Sequence, residues 1–475
     1  EVAYEFRQVV RDAEFFGYDV VSALRHLSET TPSQKMRDFL QDMLSTVESG
    51  GDLGQFLRDR VHLLQEEAKF EQKEFLQFLG LVGEIYVTIF IAGPLFLITI
   101  MVVMGMMGSS AIFELSLIGY IVLPIGSLIF ILMIDTISIK DENVIKYVKA
   151  KWLNQYSDVR VREKDGEEPL FAAMERFDKI KNLKKWIAQP LRAFVENPGL
   201  SFYFSVPVAI IVVVLAFLNM ESGDIDTMVT SVDDQIMIAM LIVMIPYAVF
   251  YTLWNSRIRG MESLIPDFLD RMAGINEVGL TLTQSITIMA RANLGILAYE
   301  IKHIQRDILW GANFSDALVR FELRVRTALI ARTVTLITKA STMSSSISEL
   351  LRIAADDARM SEILKRDRLS EMFIYTAIVY LSFFVFIFVI GVISTQFLAV
   401  LANQSTEGLS MSGAMSGVGK MSLSTLDRIL YHTCLVQGFF SGLIAGMMGE
   451  SSIKAGVKHS SILIIVALIA FNFAF

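Results

Sequence analysis

Seven stretches of this chain are long and apolar: Ile85–Met107, Ala111–Ile134, Phe202–Met220, Ile236–Trp254, Phe373–Ala402, Ile429–Met448 and Ser461–Phe475. A helix needs about 20 apolar residues to cross the hydrocarbon core of a bilayer. No water reaches that core, so the backbone N–H and C=O groups there must find partners within the protein. The first five stretches are strong by length. The sixth is weakened by His432 and Gln437, and the seventh is shorter. Pro94, Pro124, Pro207 and Pro246 lie within spans, where neighbouring helices can take up the carbonyls that proline leaves without a donor.

The remainder of the chain is charged. Hydrophobic residues make up 53% of the sequence and charged residues 19%, with a mean hydropathy of +0.51. That is too apolar for a soluble protein and too charged for a chain made only of spans, so membrane helices must alternate with cytosolic domains. The segments Glu1–Glu84, Thr136–Ser201 and Asn255–Met372 carry 9, 13 and 16 of the 42 Lys and Arg residues. The Glu221–Gln235 loop holds Glu221, Asp224, Asp226, Asp233 and Asp234 and no base, and Asn403–Asp427 holds only Lys420. Placing the three basic segments in the cytoplasm gives strict alternation through seven spans of a cell-membrane protein.

The charged segments contain a duplication, which an account of the fold has to accommodate. Ala3-Tyr4-Glu5 and Arg11-Asp12 are echoed by Ala298-Tyr299-Glu300 and Arg306-Asp307; Gly17, Ala23 and Leu24 are echoed by Gly311, Ala317 and Leu318. Both copies end by entering an apolar span, and the second runs from Met261 without a clear break to Ala402. In the second copy Ile265-Pro266-Asp267 starts a helix with proline in the first turn. That helix ends near Asn276–Gly279, a second reaches about Asn293, and a third spans Ile296 to Trp310. Gly311 can take the left-handed cap and Asn313 the next N-cap. Gly17 and Asp19 stand in the equivalent places of the first copy. Met36, Phe39, Leu40, Met43, Leu44 and Val47 recur at helical spacing there, as a bundle core requires. The second copy has about six helices. The first lacks counterparts of the opening two, which suggests that the chain lacks its true N-terminus.

The expected fold is therefore all-α: a polytopic membrane protein with two duplicated cytoplasmic helical bundles, the first truncated, and about seven transmembrane helices. Its segments are a first helical domain (1–84), two spans (85–135), a basic loop (136–201), two spans with an acidic external loop (202–254), a second helical domain (255–372) and three spans (373–475).

Paired helical domains that each feed a membrane helix resemble the type II secretion system F-domain superfamily. These are the inner-membrane platform proteins of type II secretion, type IV pili and the archaellum. The sharpest match is Val47-Glu48-Ser49-Gly50-Gly51-Asp52-Leu53 with Gln55-Phe56-Leu57, which resembles that family's Glu-x-x-Gly-x-Leu-x-x-x-Leu signature. Gly279-Leu280-Thr281 with Ser285-Ile286, Ile378–Val392 and the several extra spans resemble the archaeal branch. The second copy departs from the signature, because Thr342–Ile347 has neither the glutamate nor the glycines. The resemblance implies a platform with a hexameric secretion ATPase, pilin or archaellin subunits and further copies of itself as partners. It implies no enzymatic activity and no cofactor.

Two groups stand out as candidate contact sites. Gly50-Gly51 permits a helix end at positive φ, Asp52 can cap the next helix, and Leu53 and Leu57 are expected to return to the core. This segment reads as a tight interhelical turn, with a surface for an assembly partner as the alternative. Arg320, Arg324, Arg326 and Arg332 form either a solvated face or a patch for an acidic partner. The first charged segment is net −7 and the second-copy segment net +2, so the bundles suit different surfaces or each other.

Signals for other chemistry are poor. Ala414–Lys420 resembles a phosphate-binding loop, but Met421 stands where a Ser or Thr should hold magnesium. His26, His62, His303, His432 and His459 lie far apart, with no zinc spacing. The single Cys434 excludes an internal disulfide. A net charge of −8 leaves the positive-inside bias as sufficient reason for the basic segments, with no nucleic acid needed. A multi-span transporter or channel is the alternative class. However, Ile85–Met107, Phe202–Met220, Ile236–Trp254 and Phe373–Ala402 lack the acidic or basic side chains that ion-coupled carriers keep in their spans.

Overall fold

A computed structural model describes residues 2–106, 112–138, 169–174, 176–177, 180–181, 190–218, 225–343, 347–397 and 423–474. The loop-like motif Ala414–Lys420 and most of the basic loop 136–201 lie outside the described residues. Every regular element among the described residues is helical, and seven helical segments are long and apolar enough to cross a membrane. The chain divides into two compact units, Glu1–Gln77 and Phe78–Phe475.

In the first unit α1 (Val2–Phe16), α2 (Val20–Thr30), α3 (Gln34–Glu48) and α4 (Leu53–Tyr86) follow one another through short turns. Gly17 ends α1 at φ +69° and Gly50 ends α3 at φ +73°. The Gly51 N–H donates to the Thr46 carbonyl (2.9 Å) and the Gly50 N–H to that of Val47 (3.1 Å), a Schellman closure. Ser33 caps α3 by accepting from the Met36 N–H. Val9, Ala23, Leu27, Leu40 and Met43 form the core, with Leu24, Met36, Phe39 and Phe56 packed around it. One expectation fails at this point. Leu53 and Leu57 are 38% and 40% exposed. They are one turn apart on the outer side of α4, whose inward side begins at Phe56, paired with Phe39 at 6.1 Å between ring centroids.

In the second unit the membrane helices include α5 (Gly93–Met106), α6 (Ile112–Leu117), α7 (Leu123–Ile137), α8 (Pro190–Glu196, a short lead-in), α9 (Phe202–Leu218) and α10 (Ile225–Glu262). A π-helical turn, Val87–Ala92, ends two residues before Pro94. Proline at 94 cannot donate to the carbonyl of Phe90, four residues back. The Gln437 Nε2 donates to that carbonyl instead (3.0 Å) and the Tyr86 hydroxyl donates to Ser441 Oγ (2.7 Å). The polar residue that weakens the sixth apolar stretch thus completes the backbone of the first. His432 is likewise occupied, with Nε2 2.9 Å from Asp233 and Nδ1 within reach of the Tyr120 hydroxyl. Gln437→Leu should cost about 1–3 kcal/mol, because it strands a buried carbonyl. The measurement is a lowered thermal midpoint in detergent.

The second bundle is built from α11 (Ile265–Glu277), α12 (Leu282–Met289), α13 (Leu297–Leu309), α14 (Phe314–Val325), α15 (Ala328–Met343) and α16 (Ile347–Val392). The second of these stops at Met289, short of the expected Asn293. Thr281 and Gln284 close a reciprocal capping box at its start. One buried cluster runs from Met261 to Ala358 and includes Leu269, Met272, Ile286, Ile301, Ile304, Leu318, Ile330 and Ala355. α11 and α16 run antiparallel: Glu277 pairs with Arg352 (2.6 Å), Asp270 with Arg359, and Glu262 at the end of α10 with Lys365 (2.8 Å). α16 then continues into the membrane part without a break. The chain ends in two packed helices, α17 (Leu423–Glu450) and α18 (Ile453–Ile469).

Candidate functional site

The turn between α17 and α18 touches both helices that connect the second bundle to the membrane part. On one side, the Glu450 carboxylate accepts from Arg259 (2.7 Å) and Asn255 (3.3 Å) of α10 and from Lys458 of α18. The Tyr251 and Ser452 hydroxyls lie 3.2 Å apart. Tyr251, Asn255, Arg259, Glu450 and Lys458 line a small cavity of about 150 Å³. On the other side, the Thr376 hydroxyl of α16 donates to the Ala445 carbonyl (3.3 Å), and Tyr380 lies 2.9 Å from His459 Nδ1. Gly449 is so close to Thr376 that a Cβ there would sit 1.9 Å from its hydroxyl oxygen. Two cations on a largely enclosed carboxylate lock one geometry more tightly than an exposed pair would. The turn therefore couples the helix that enters the second bundle to the helix that leaves it.

This junction was not legible as a site, because Arg259 and Glu450 are far apart in sequence. The only signal was an acidic residue at the end of a span. Among the described residues no three His, Cys, Asp or Glu side chains are grouped to hold a metal ion.

The residues singled out from sequence lie elsewhere. Glu48 ends α3 and accepts from Arg25. Asp52 accepts from the N–H groups of Gly54 (2.7 Å) and Gln55 (3.2 Å), capping α4, and Leu53 is on the exposed side. Gly17 and Gly311 both adopt positive φ, +69° and +93°. Asp19 and Asn313 have N-cap backbone geometry without a side-chain cap hydrogen bond, and hydrogen bonding to Ser22 holds the Asp19 carboxyl below the usual carboxylate range. The four arginines have different surroundings. Arg324 bridges Glu300 (3.0 Å) and Asp307 (3.4 Å), and Arg332 reaches Asp357 (3.2 Å). Arg326 occupies a left-handed position at the end of α14 and donates to the Leu323 carbonyl, while Arg320 is exposed. The first copy has its own version of the Arg324 contact: the buried Asp12 meets His26 at 2.9 Å. That hydrogen bond, with the help of Arg11, outweighs burial and holds the Asp12 carboxyl below the usual carboxylate range.

Comparison with known proteins places these copies. Residues 1–101 and 268–395 match the family model described as type II secretion system (T2SS), protein F. Both copies are type II secretion F domains. An uncharacterized protein of Methanocaldococcus jannaschii is 24% identical over 479 aligned residues, covering 99% of this chain and 73% of its own length. No solved structure matches the chain. The matched regions take in nearly all of both bundles and most of the span that follows each one. With seven helices among the described residues able to cross a membrane, this is a multi-pass membrane protein, and its two F domains fit the secretion or pilus platform family.

Proposed function

We propose that the chain is the membrane platform of an archaeal type IV pilus-like or archaellum assembly machine, without catalytic activity of its own. The F domains face the cytoplasm, a reading the distribution of Lys and Arg supports, and engage a hexameric secretion ATPase. The spans pass the apolar helices of pilin or archaellin subunits from the bilayer into a growing filament, and several copies of the chain surround its base.

The observation that carries this reading is α16. Its 46 residues form one unbroken helix from the second F domain into the membrane part, about 70 Å at 1.5 Å per residue. Such a strut, braced at the α17–α18 turn, can carry a movement of the bundle into the spans. Purification of the full chain in mild detergent tests the reading. It should retain a secretion ATPase expressed in the same cells and, in the same membranes, the filament subunit. Solute uptake by vesicles containing the chain, with no ATPase retained, would favour a transporter.

A further inference from the structure

The two F domains repeat an outward-facing stripe. Arg7, Arg11 and Phe15 follow one another at intervals of four residues on α1; Lys302, Arg306 and Trp310 do the same on and just beyond α13. A constant offset of 295 residues relates the two triplets. Residues four apart lie on neighbouring turns of one helix side. The opposite side is the core face, since Val9, Asp12, Ile301 and Ile304 are buried. All six stripe residues are exposed, and the aromatic members extremely so: Phe15 is 80% and Trp310 86% exposed. Next to each, a second bulky apolar residue, Phe16 or Leu309, is also exposed (67% and 75%), and a positive-φ glycine follows. In the first copy the stripe borders a groove lined by Arg7, Gln8, Val10, Arg11, Glu14 and Phe15.

Solvation alone gives no reason for an aromatic ring of this exposure to recur in two copies that share few other residues. The two bases recur as well, although the first charged segment is net −7. Arg11 itself lies 3.3 Å from Asp12, but that buried carboxylate is shared with His26, Asp307 is taken by Arg324, and the stripe bases stay exposed. Aromatic and arginine side chains together make the kind of anchor that dominates protein interfaces.

We propose that each F domain uses this stripe to dock an acidic amphipathic helix of a protein partner. Two carboxylates one turn apart on that helix meet the two bases, and an adjacent apolar residue covers Phe15 or Trp310. Each chain therefore presents two equivalent docking sites. A protein helix fits better than a lipid surface. Ile296, just before α13, packs on Gly260 where α10 leaves the membrane part, and α13 carries Trp310 about 20 Å from that point. The inference rests on the duplication and survives a failure of the platform reading.

The test uses the full chain in nanodiscs of zwitterionic lipid. The probe is a labelled synthetic helical peptide with glutamates four residues apart beside a leucine stripe, and a scrambled peptide of the same composition serves as control. Two peptides should bind per chain. Lys302→Glu with Arg306→Glu should remove one site and Arg7→Glu with Arg11→Glu the other, while Trp310→Ala should weaken its site by about tenfold or more. The charge-reversed chains should instead bind the peptide made with lysine in place of glutamate. Equal binding of the scrambled peptide, or binding that survives all four reversals, would overturn the proposal. So would stripe-dependent binding of anionic vesicles with no binding of the peptide.

Discussion

Gly446→Ala, a single methyl group, should abolish recovery of folded protein. A Cβ at Gly446 would lie 2.1 Å from the Cα and N atoms of Gly456, and one at Gly442 would lie 2.1 Å from the Ser460 N. The atoms in the way are backbone, so no rotamer change relieves the clash. α17 and α18 would have to separate along their whole interface. That interface buries Ile444, Ala445, Met448, Ala455, Leu463 and Ile464 and includes the Ser460 hydroxyl donating to the Phe439 carbonyl (2.7 Å). Between membrane helices such close backbone approach is what small residues provide, because lipid supplies no hydrophobic drive to hold the helices together. Overpacking in a dense interior typically costs about 1–3 kcal/mol when side chains can yield, and more when they cannot. Gly311→Ala is the informative contrast. Nothing lies within 4 Å of its Cβ, and only its φ of +93° opposes the change, so the cost should be about 1 kcal/mol. Size-exclusion profiles and thermal midpoints in detergent should show aggregation for the first variant and a small shift for the second.

The sequence displays these features unevenly. The spans were legible because apolar length is a property of a single stretch. The bundles were legible because turn glycines and core stripes are local signals: Gly17, Gly50 and Gly311 all adopt the positive φ that their places called for. Helix spacing alone did not say which side of α4 faces inward, so Leu53 and Leu57 were assigned to the core that Phe56 occupies. The arginines of the second copy look like one cluster along the chain. Their partners are set by tertiary structure, with Glu300 and Asp307 reaching Arg324 from another helix. The Arg259–Glu450–Lys458 junction joins residues from three helices and leaves no local mark beyond an acidic residue at the end of a span. Polar residues in spans were the most misleading signal. Gln437 weakened the case for its own span because its partner, the carbonyl opposite Pro94, belongs to another.

The unbroken α16 carries the central claim, and a break in it should uncouple the two halves of the molecule. A flexible Gly-Ser segment inserted near Ser370 falls between the ion pair of Lys365 with Glu262 and the Thr376 contact with the α17–α18 turn. The bundle core ends before it, at Ala358, so the F domain should still fold, the chain should still insert, and the ATPase should still be retained on purification. A helix transmits rotation and thrust only while its i to i−4 hydrogen bonds are continuous, and glycine in that register removes the continuity. The decisive measurement is filament assembly in cells whose sole copy of the gene carries the insertion, with membrane insertion and ATPase retention assayed in the same strain. The account predicts no filaments while both other properties are kept; filaments of normal number and length would contradict it.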